Sequence, residues 1–233
     1  MLDARLRPLI DPPLERAARL LVRLGLGADA VTLAGFALGA TGCLAVALQA
    51  YGPAALLLAA NRLADGLDGA VARRLGSTAF GGYLDIVCDF LIYNGLALAF
   101  ALAQPEARLP ALFLLLSFAG TGSTFLAYAI LAAKAGRSSP RQGRKGFYYL
   151  GGLTEGTETI LFFALCLLWP ERFGLFAWVF AGLCGLTALG RVGAARRDFG
   201  RYSAAGRCEG EASDPDRSSG QSGSSSSPSS GNS

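Results

Sequence analysis

The stretch DGLDGAVARRLGSTAFGGYLDIVCD, residues 65–89, decides how the rest of the chain is read. It carries four aspartates, Asp65, Asp68, Asp85 and Asp89, in a chain that is 52% hydrophobic with a mean hydropathy of +0.40. Spacings of three and four residues put each pair on one face of an α-helix. The apolar run AALLLAA (54–60) precedes the first pair, and FLIYNGLALAFALA (90–103) follows the second. The carboxylates therefore belong near the ends of two membrane helices joined by a short turn containing Arg and Gly. A charged side chain at membrane depth costs about 2.5–3.5 kcal/mol, and four carboxylates so close repel one another unless a cation holds them. Hard divalent ions such as Mg2+ or Mn2+ take oxygen ligands of this kind and usually work with phosphates. The plainer alternative is a structural cluster in which Arg62, Arg73 and Arg74 neutralise three of the four.

Outward from this stretch the chain reads as all-α and membrane-embedded. Charged residues make up only 16% of it, and several apolar windows approach the ~20 residues needed to cross a bilayer. Six spans are expected, at about residues 31–50, 53–74, 82–103, 109–133, 147–169 and 173–195. Residues 3–24 are too polar to span. After Pro12 and Pro13, the residues Leu14, Ala17, Ala18, Leu21 and Val22 share one helical face, with Glu15, Arg16, Arg19 and Arg23 largely elsewhere. That pattern predicts a short amphipathic helix on the cytoplasmic membrane surface; a signal peptide would need a longer, uncharged core and a cleavage site. The expected organisation is a juxtamembrane segment (1–28), a six-helix transmembrane catalytic unit (29–200) and a flexible cytoplasmic tail (201–233). The tail ends SSGQSGSSSSPSSGNS and has no apolar face to bury.

Charge sets the orientation. Lys and Arg concentrate in the N-terminal segment, at Arg73 and Arg74, between Lys134 and Lys145, and at Arg196, Arg197 and Arg201, whereas the turn around Tyr51–Pro53 has none. The positive-inside rule then makes both termini cytoplasmic and puts the aspartates at the cytoplasmic side of a bacterial inner membrane. The net charge of +4 lies at helix ends rather than on one soluble face, so it does not indicate nucleic-acid binding. Five cysteines stand singly with no CxxC pair, which points to small buried apolar residues rather than a disulfide framework or a zinc site. The absence of His excludes His-based catalysis and leaves carboxylates for proton transfer.

The spacing Asp65-x2-Asp68-Gly69-x2-Ala72-Arg73, seven residues, then Gly81-x3-Asp85-x3-Asp89 resembles the signature of the CDP-alcohol phosphotransferases. The helical pattern around it fits the same family over residues 1 to about 200. The resemblance implies a donor such as CDP-diacylglycerol or another CDP-alcohol, a small alcohol acceptor, release of CMP, and Mg2+ or Mn2+, two ions per active site. It implies Asp65, Asp68, Asp85 and Asp89 as metal ligands, with Asp89 also the catalytic base. Gly69 and Ala72 would let the nucleotide approach the helix closely, although Ala72 fits ordinary small-residue packing equally well. Arg73 would make a two-pronged phosphate contact, or else anchor the helix as Arg74 does. Thr78 stands where the family offers a hydroxyl to the nucleotide. Before the first span the family often carries Pro-Asn-x-Leu-Thr; here Ala28, Asp29, Val31 and Thr32 occupy those points. Thr32 matches, while Asp29 stands either as a nucleotide contact or as the N-cap of the span. Similar proteins often form homodimers, which the small-residue stripes allow.

A second polar feature lies in the fifth expected span, where Thr154, Glu155, Thr157 and Glu158 form a candidate acceptor pocket. The alternative for the two glutamates is pairing with Lys134, Lys145 or Arg191. Paired carboxylates favour a polyhydroxyl or amine-bearing acceptor, and the basic residues favour a phosphorylated one. Ser117, Thr121, Ser123 and Thr124 either line the cavity or bond between helices. An intramembrane prenyltransferase also uses Asp and Mg2+, but similar proteins place their Asp motifs on distant helices. A cation transporter or a non-enzymatic scaffold leaves the element Gly69–Arg73 unexplained.

Overall fold

The computed structural model describes residues 3–135 and 156–200, and the regular elements among them are helices. α1 spans Asp3–Arg23, α2 Ala28–Ala47, α3 Tyr51–Leu75, α4 Ala79–Ala103, α5 Arg108–Lys134, α6 Gly156–Leu168 and α7 Phe173–Phe199. Short 3-10 turns, Pro105–Ala107 and Pro170–Arg172, lead into α5 and α7.

Four of these helices, α2, α4, α5 and α7, are long and apolar enough to cross a membrane. Their outward faces fit lipid: Leu33, Leu44, Leu98, Leu102, Leu116 and Leu189 are each more than half exposed, a surface that water would penalise. α3 has 25 residues but concentrates Arg62, Asp65, Asp68, Arg73 and Arg74 in its second half. α6 is described over 13 residues; the start of the expected 147–169 span lies outside the described residues, as does the 201–233 tail. Two boundaries differ from expectation. α1 begins at Asp3 and runs through Pro12 and Pro13 rather than starting after them. α2 begins at Ala28 with Gly27 in the N-cap position, so Asp29 lies inside the first turn and does not cap the helix.

Aromatic rings fill the centre. Phe100 of α4 stacks on Phe173 of α7 with ring centroids 4.2 Å apart, and Phe162 of α6 stacks on Phe180 of α7 at 4.3 Å. Cys88, Cys166 and Cys184 are buried and free, and Cys43 is half-buried. At the end away from the aspartates, the Gln49 amide donates to the Ala103 carbonyl and the Gln104 amide to that of Pro170, each at 2.8 Å.

Two features position the polar end. α2 lies tightly against α3 and α4 because Gly35 and Gly39 lack side chains: a Cβ there would stand 2.8 Å from Ala64 Cβ and 2.6 Å from Ile92 Cδ1. The α3–α4 turn is closed by Gly76, whose φ of +99° suits glycine, and by Thr78, whose hydroxyl accepts from the Gly81 amide at 2.9 Å. The apolar face of α1, Leu14, Ala18, Leu21 and Val22, packs on Ala70 and Val71 of α3. That face therefore meets protein, while Leu20, Leu24 and Leu26 are exposed.

Candidate active site

α3 carries Asp65 and Asp68 on successive turns, and α4 brings Asp85 opposite them. One carboxylate oxygen from each of the three lies within 4.8 Å of the others. Asp68 is buried, and Thr32 of α2 donates its hydroxyl to Asp68 Oδ2 at 2.6 Å. Thr32 is thus bonded to a carboxylate, whose orientation it fixes. Three all-oxygen donors from two rigid helices, without Cys or His, fit a hard divalent cation.

Asp89 is joined to this triad through Arg62. The guanidinium Nη2 donates to Asp89 Oδ1 at 2.8 Å, and Nη1 lies 3.7 Å from Asp65 Oδ2. Among the described residues, the ion pairs of the aspartate cluster all involve Arg62. Arg73 and Arg74, the other two candidate neutralisers, turn to Glu15 of α1. Arg74 hydrogen-bonds Glu15 Oε2, and Arg73 lies 3.6 Å from Oε1. The hydrogen bond from Arg74, with the charge of both arginines, holds the Glu15 carboxyl below its ordinary range.

Beside the triad opens a cleft of about 400 Å³, within the size range of small-molecule sites. Asp29, Thr32, Gly69, Ala72 and Thr78 all line it, together with Asp68, Gly81 and Asp85. Asp29 and Thr78 flank one narrow point: a Cβ on Gly81 would meet Asp29 Oδ1 and Thr78 Oγ1 at 3.0 Å each. Arg73 stands at the rim, its Nη1 within 3.5 Å of where a Cβ on Gly69 would lie. A recess continuing from the cleft through Thr32, Asp68 and Asp85 reaches Asp65, Asp89 and Asn61.

The acceptor-pocket residues divide differently. Thr154 and Glu155 lie outside the described residues. Thr157 and Glu158 sit half-buried in the first turn of α6 and do not line the cleft beside the aspartates. In α5, Ser117, Thr121 and Thr124 donate to carbonyls three or four residues back in their own helix, so these donors are spent within α5 rather than on a bond between helices, and none of the three lines the cleft beside the aspartates. Arg191 of α7 donates to the Thr121 carbonyl at 3.0 Å.

Sequence reasoning missed the ring of residues around Arg62. Asn61 Oδ1 accepts from Arg62 Nε and Nη2 at 2.9 and 2.7 Å, and Tyr93 Oη accepts from Nη1 at 3.0 Å. The signal was present: Arg62 stands three residues before Asp65, and Tyr93 four after Asp89, each on its neighbour's helix face.

Comparison with known proteins gives the family. The profile of the CDP-alcohol phosphatidyltransferase family matches residues 26–189. The chain is 50% identical over 193 residues to the inner membrane protein YnjF of Escherichia coli (strain K12), covering 82% of this chain and 94% of that one. It is 29% identical over 195 residues to an archaetidylinositol phosphate synthase of Pyrococcus horikoshii, covering 83% and 96%. Its fold matches the crystal structure of Mycobacterium tuberculosis phosphatidylinositol phosphate synthase with CDP-DAG bound, with a TM-score of 0.62, 23% identity, and coverage of 78% of this chain and 93% of that one. These matches replace the prenyltransferase and transporter alternatives. The chain belongs to the CDP-alcohol phosphatidyltransferase family and is a membrane transferase of phospholipid biosynthesis that passes a substituted phosphate group from a CDP-alcohol to a second alcohol.

Proposed function

We propose that this enzyme moves a phosphatidyl group from CDP-diacylglycerol to a small hydroxylated acceptor at the cytoplasmic face of a bacterial inner membrane. The observation that carries this reading is the convergence of Asp65, Asp68 and Asp85 at the head of a cleft large enough for a nucleotide diphosphate. Those three residues would hold the divalent cation, Mg2+ or Mn2+. A bound cation supplies charge neutralisation and Lewis acidity at the diphosphate.

The remaining roles fall to the chain itself. Gly69 and Ala72 leave the α3 wall of the cleft low enough for the nucleotide to lie against it. Asp29, Thr32 and Thr78 form its polar rim, and Arg73 takes the phosphate oxygens in a forked contact. Asp89 accepts the acceptor's hydroxyl proton, on Oδ2 because Arg62 engages Oδ1. As the acceptor oxygen bonds to the β-phosphorus, the bond from that phosphorus to the bridging oxygen breaks and CMP leaves. Thr154, Glu155, Thr157 and Glu158 form the acceptor side. The full span set is six helices, with α1 beside α3 at the cytoplasmic interface, both termini cytoplasmic, and the chain working as a homodimer. Thiol accessibility of single cysteines placed at Leu24 and Gln104 in intact cells tests the orientation.

The deciding experiment is metal-dependent CMP release by purified protein given CDP-diacylglycerol, Mg2+ or Mn2+, and a panel of hydroxyl acceptors. Release should require metal and one acceptor, and should fail in Asp85→Asn and Asp89→Asn. No release with any acceptor, from folded and metal-loaded protein, would move the donor assignment to another CDP-alcohol.

A further inference from the structure

We propose that Arg62 is a positioning residue that takes the place of a second cation at Asp89, so that this enzyme holds one divalent ion, on Asp65, Asp68 and Asp85. The proposal rests on the triad being the metal site, and its test separates the two.

The guanidinium supplies the positive charge between Asp89 and the triad. It lies 2.8 Å from Asp89 Oδ1 on α4 and 3.7 Å from Asp65 Oδ2 on α3, so it bridges the fourth aspartate to the triad. Its occupancy excludes another cation from Asp89 Oδ1, and its charge repels one from the space between the two carboxylates. An exposed arginine would swing aside for a divalent ion at little cost. Arg62 is built in: its side chain is 19% exposed, and it donates twice to Asn61 Oδ1 and once to Tyr93 Oη. The guanidinium carbon also lies 5.4 Å from the Tyr93 ring centroid. Asn61 is itself fixed, 4% exposed, with its amide donating to the Gly35 carbonyl of α2 at 2.9 Å. Three helices thus set the guanidinium in place, and releasing it would strand Asn61 Oδ1 in a buried site.

The test counts Mn2+ bound per chain in the purified full-length protein, with electron paramagnetic resonance reporting whether two ions lie close enough to couple. Wild type should bind one uncoupled ion. Arg62→Gln should bind two, with the broadened spectrum of a coupled pair, and Arg62→Lys, which keeps the charge, should return to one. Two ions in wild type would overturn the proposal while leaving the triad assignment standing, and none in wild type would overturn the triad assignment itself. A single ion in folded Arg62→Gln would also overturn it. If Arg62→Gln does not fold, Tyr93→Phe removes the hydroxyl that holds Nη1: a second, weaker Mn2+ site then supports the proposal, and unchanged one-ion binding up to saturating Mn2+ refutes it.

Discussion

Replacing Gly35 by Ala tests whether α2 must touch α3 for the aspartates to converge. The new Cβ would stand 2.8 Å from Ala64 Cβ, against an ordinary carbon–carbon contact of about 3.8 Å, so the helices must part by about 1 Å. Ala64 Cβ is fixed to the α3 backbone and has no rotamer to yield. At Gly39, by contrast, the first atom met is the flexible end of Ile92. Gly→Ala gains about 1 kcal/mol of helix propensity, whereas overpacking costs about 1–3 kcal/mol, so Gly35→Ala should lose up to about 2 kcal/mol. Gly190→Ala is the matched control, because a Cβ there meets nothing within 4 Å; it keeps the propensity gain without the clash. Ala64 immediately precedes Asp65, and the Gly35 carbonyl accepts from Asn61, so the separation also displaces the α3 carboxylates from Asp85. A misplacement of about 1 Å costs about 100-fold in rate. Thermal midpoints in detergent, Mn2+ affinity and CMP release would be measured for both variants. If Gly35→Ala is as stable as Gly190→Ala and binds Mn2+ like wild type, the helices are not in this contact and the reasoning fails.

Further predictions follow from the same geometry. Thr32→Val keeps the side-chain shape but removes the donor to Asp68, and should weaken Mn2+ binding by about 10–100-fold in calorimetry; unchanged affinity would show that the hydroxyl does not orient the ligand. Glu15 has its carboxyl value lowered by Arg74 and Arg73 from an ordinary 4.5, so its contribution to docking α1 is complete above that value and is lost as pH falls through the lowered one. The distance between spin labels at Leu20 and Leu75 should hold at neutral pH and widen only in acid, and Glu15→Gln should abolish that step; an identical acid step in Glu15→Gln would assign it to other groups. Removing divalent metal with a chelator should stop CMP release, and Mg2+ or Mn2+ alone should restore it, whereas release that persists in chelator would remove the cation from the reaction.

The helices were legible because apolar length is written locally: α3, α4 and α5 begin and end within a few residues of their expected spans. Convergence of the aspartates was legible for the same reason, since spacings of three and four fix a helix face before any tertiary contact exists. Partners set by packing between distant segments were not legible. Asp29 had the composition of a cap, but Gly27 takes that position, and the close approach of α2 to α4 turns Asp29 to the cleft. The apolar face of α1 reads equally as a lipid-facing or a protein-facing surface. What decides is that Ala70 and Val71 present a complementary strip on α3, a match between residues about fifty positions apart that no local periodicity reveals.

The division of labour among the three arginines follows from helix rotation and from their height along α3. At about 100° per residue, Arg62 lies three residues before Asp65 and so on its side of α3. Arg74 lies nine after Asp65, which is about 180° around the helix. It therefore cannot neutralise the cluster and meets α1 instead, where Glu15 receives it. Arg73 lies close to Arg62 in angle, about 80° from Asp65 against about 60°, but about 16 Å further along α3, where it touches Glu15 on one side and borders Gly69 at the cleft on the other. One helix thus sorts three like charges into a counter-ion for Asp89, a residue at the mouth of the cleft and an anchor for α1. Of the three, only Arg73 is more than half exposed, at 54%, which suits the exchange of Glu15 for a phosphate proposed for it. The buried arginine and the exposed one are therefore distinguished before any substrate is bound, and the role proposed for each agrees with the exposure the fold gives it.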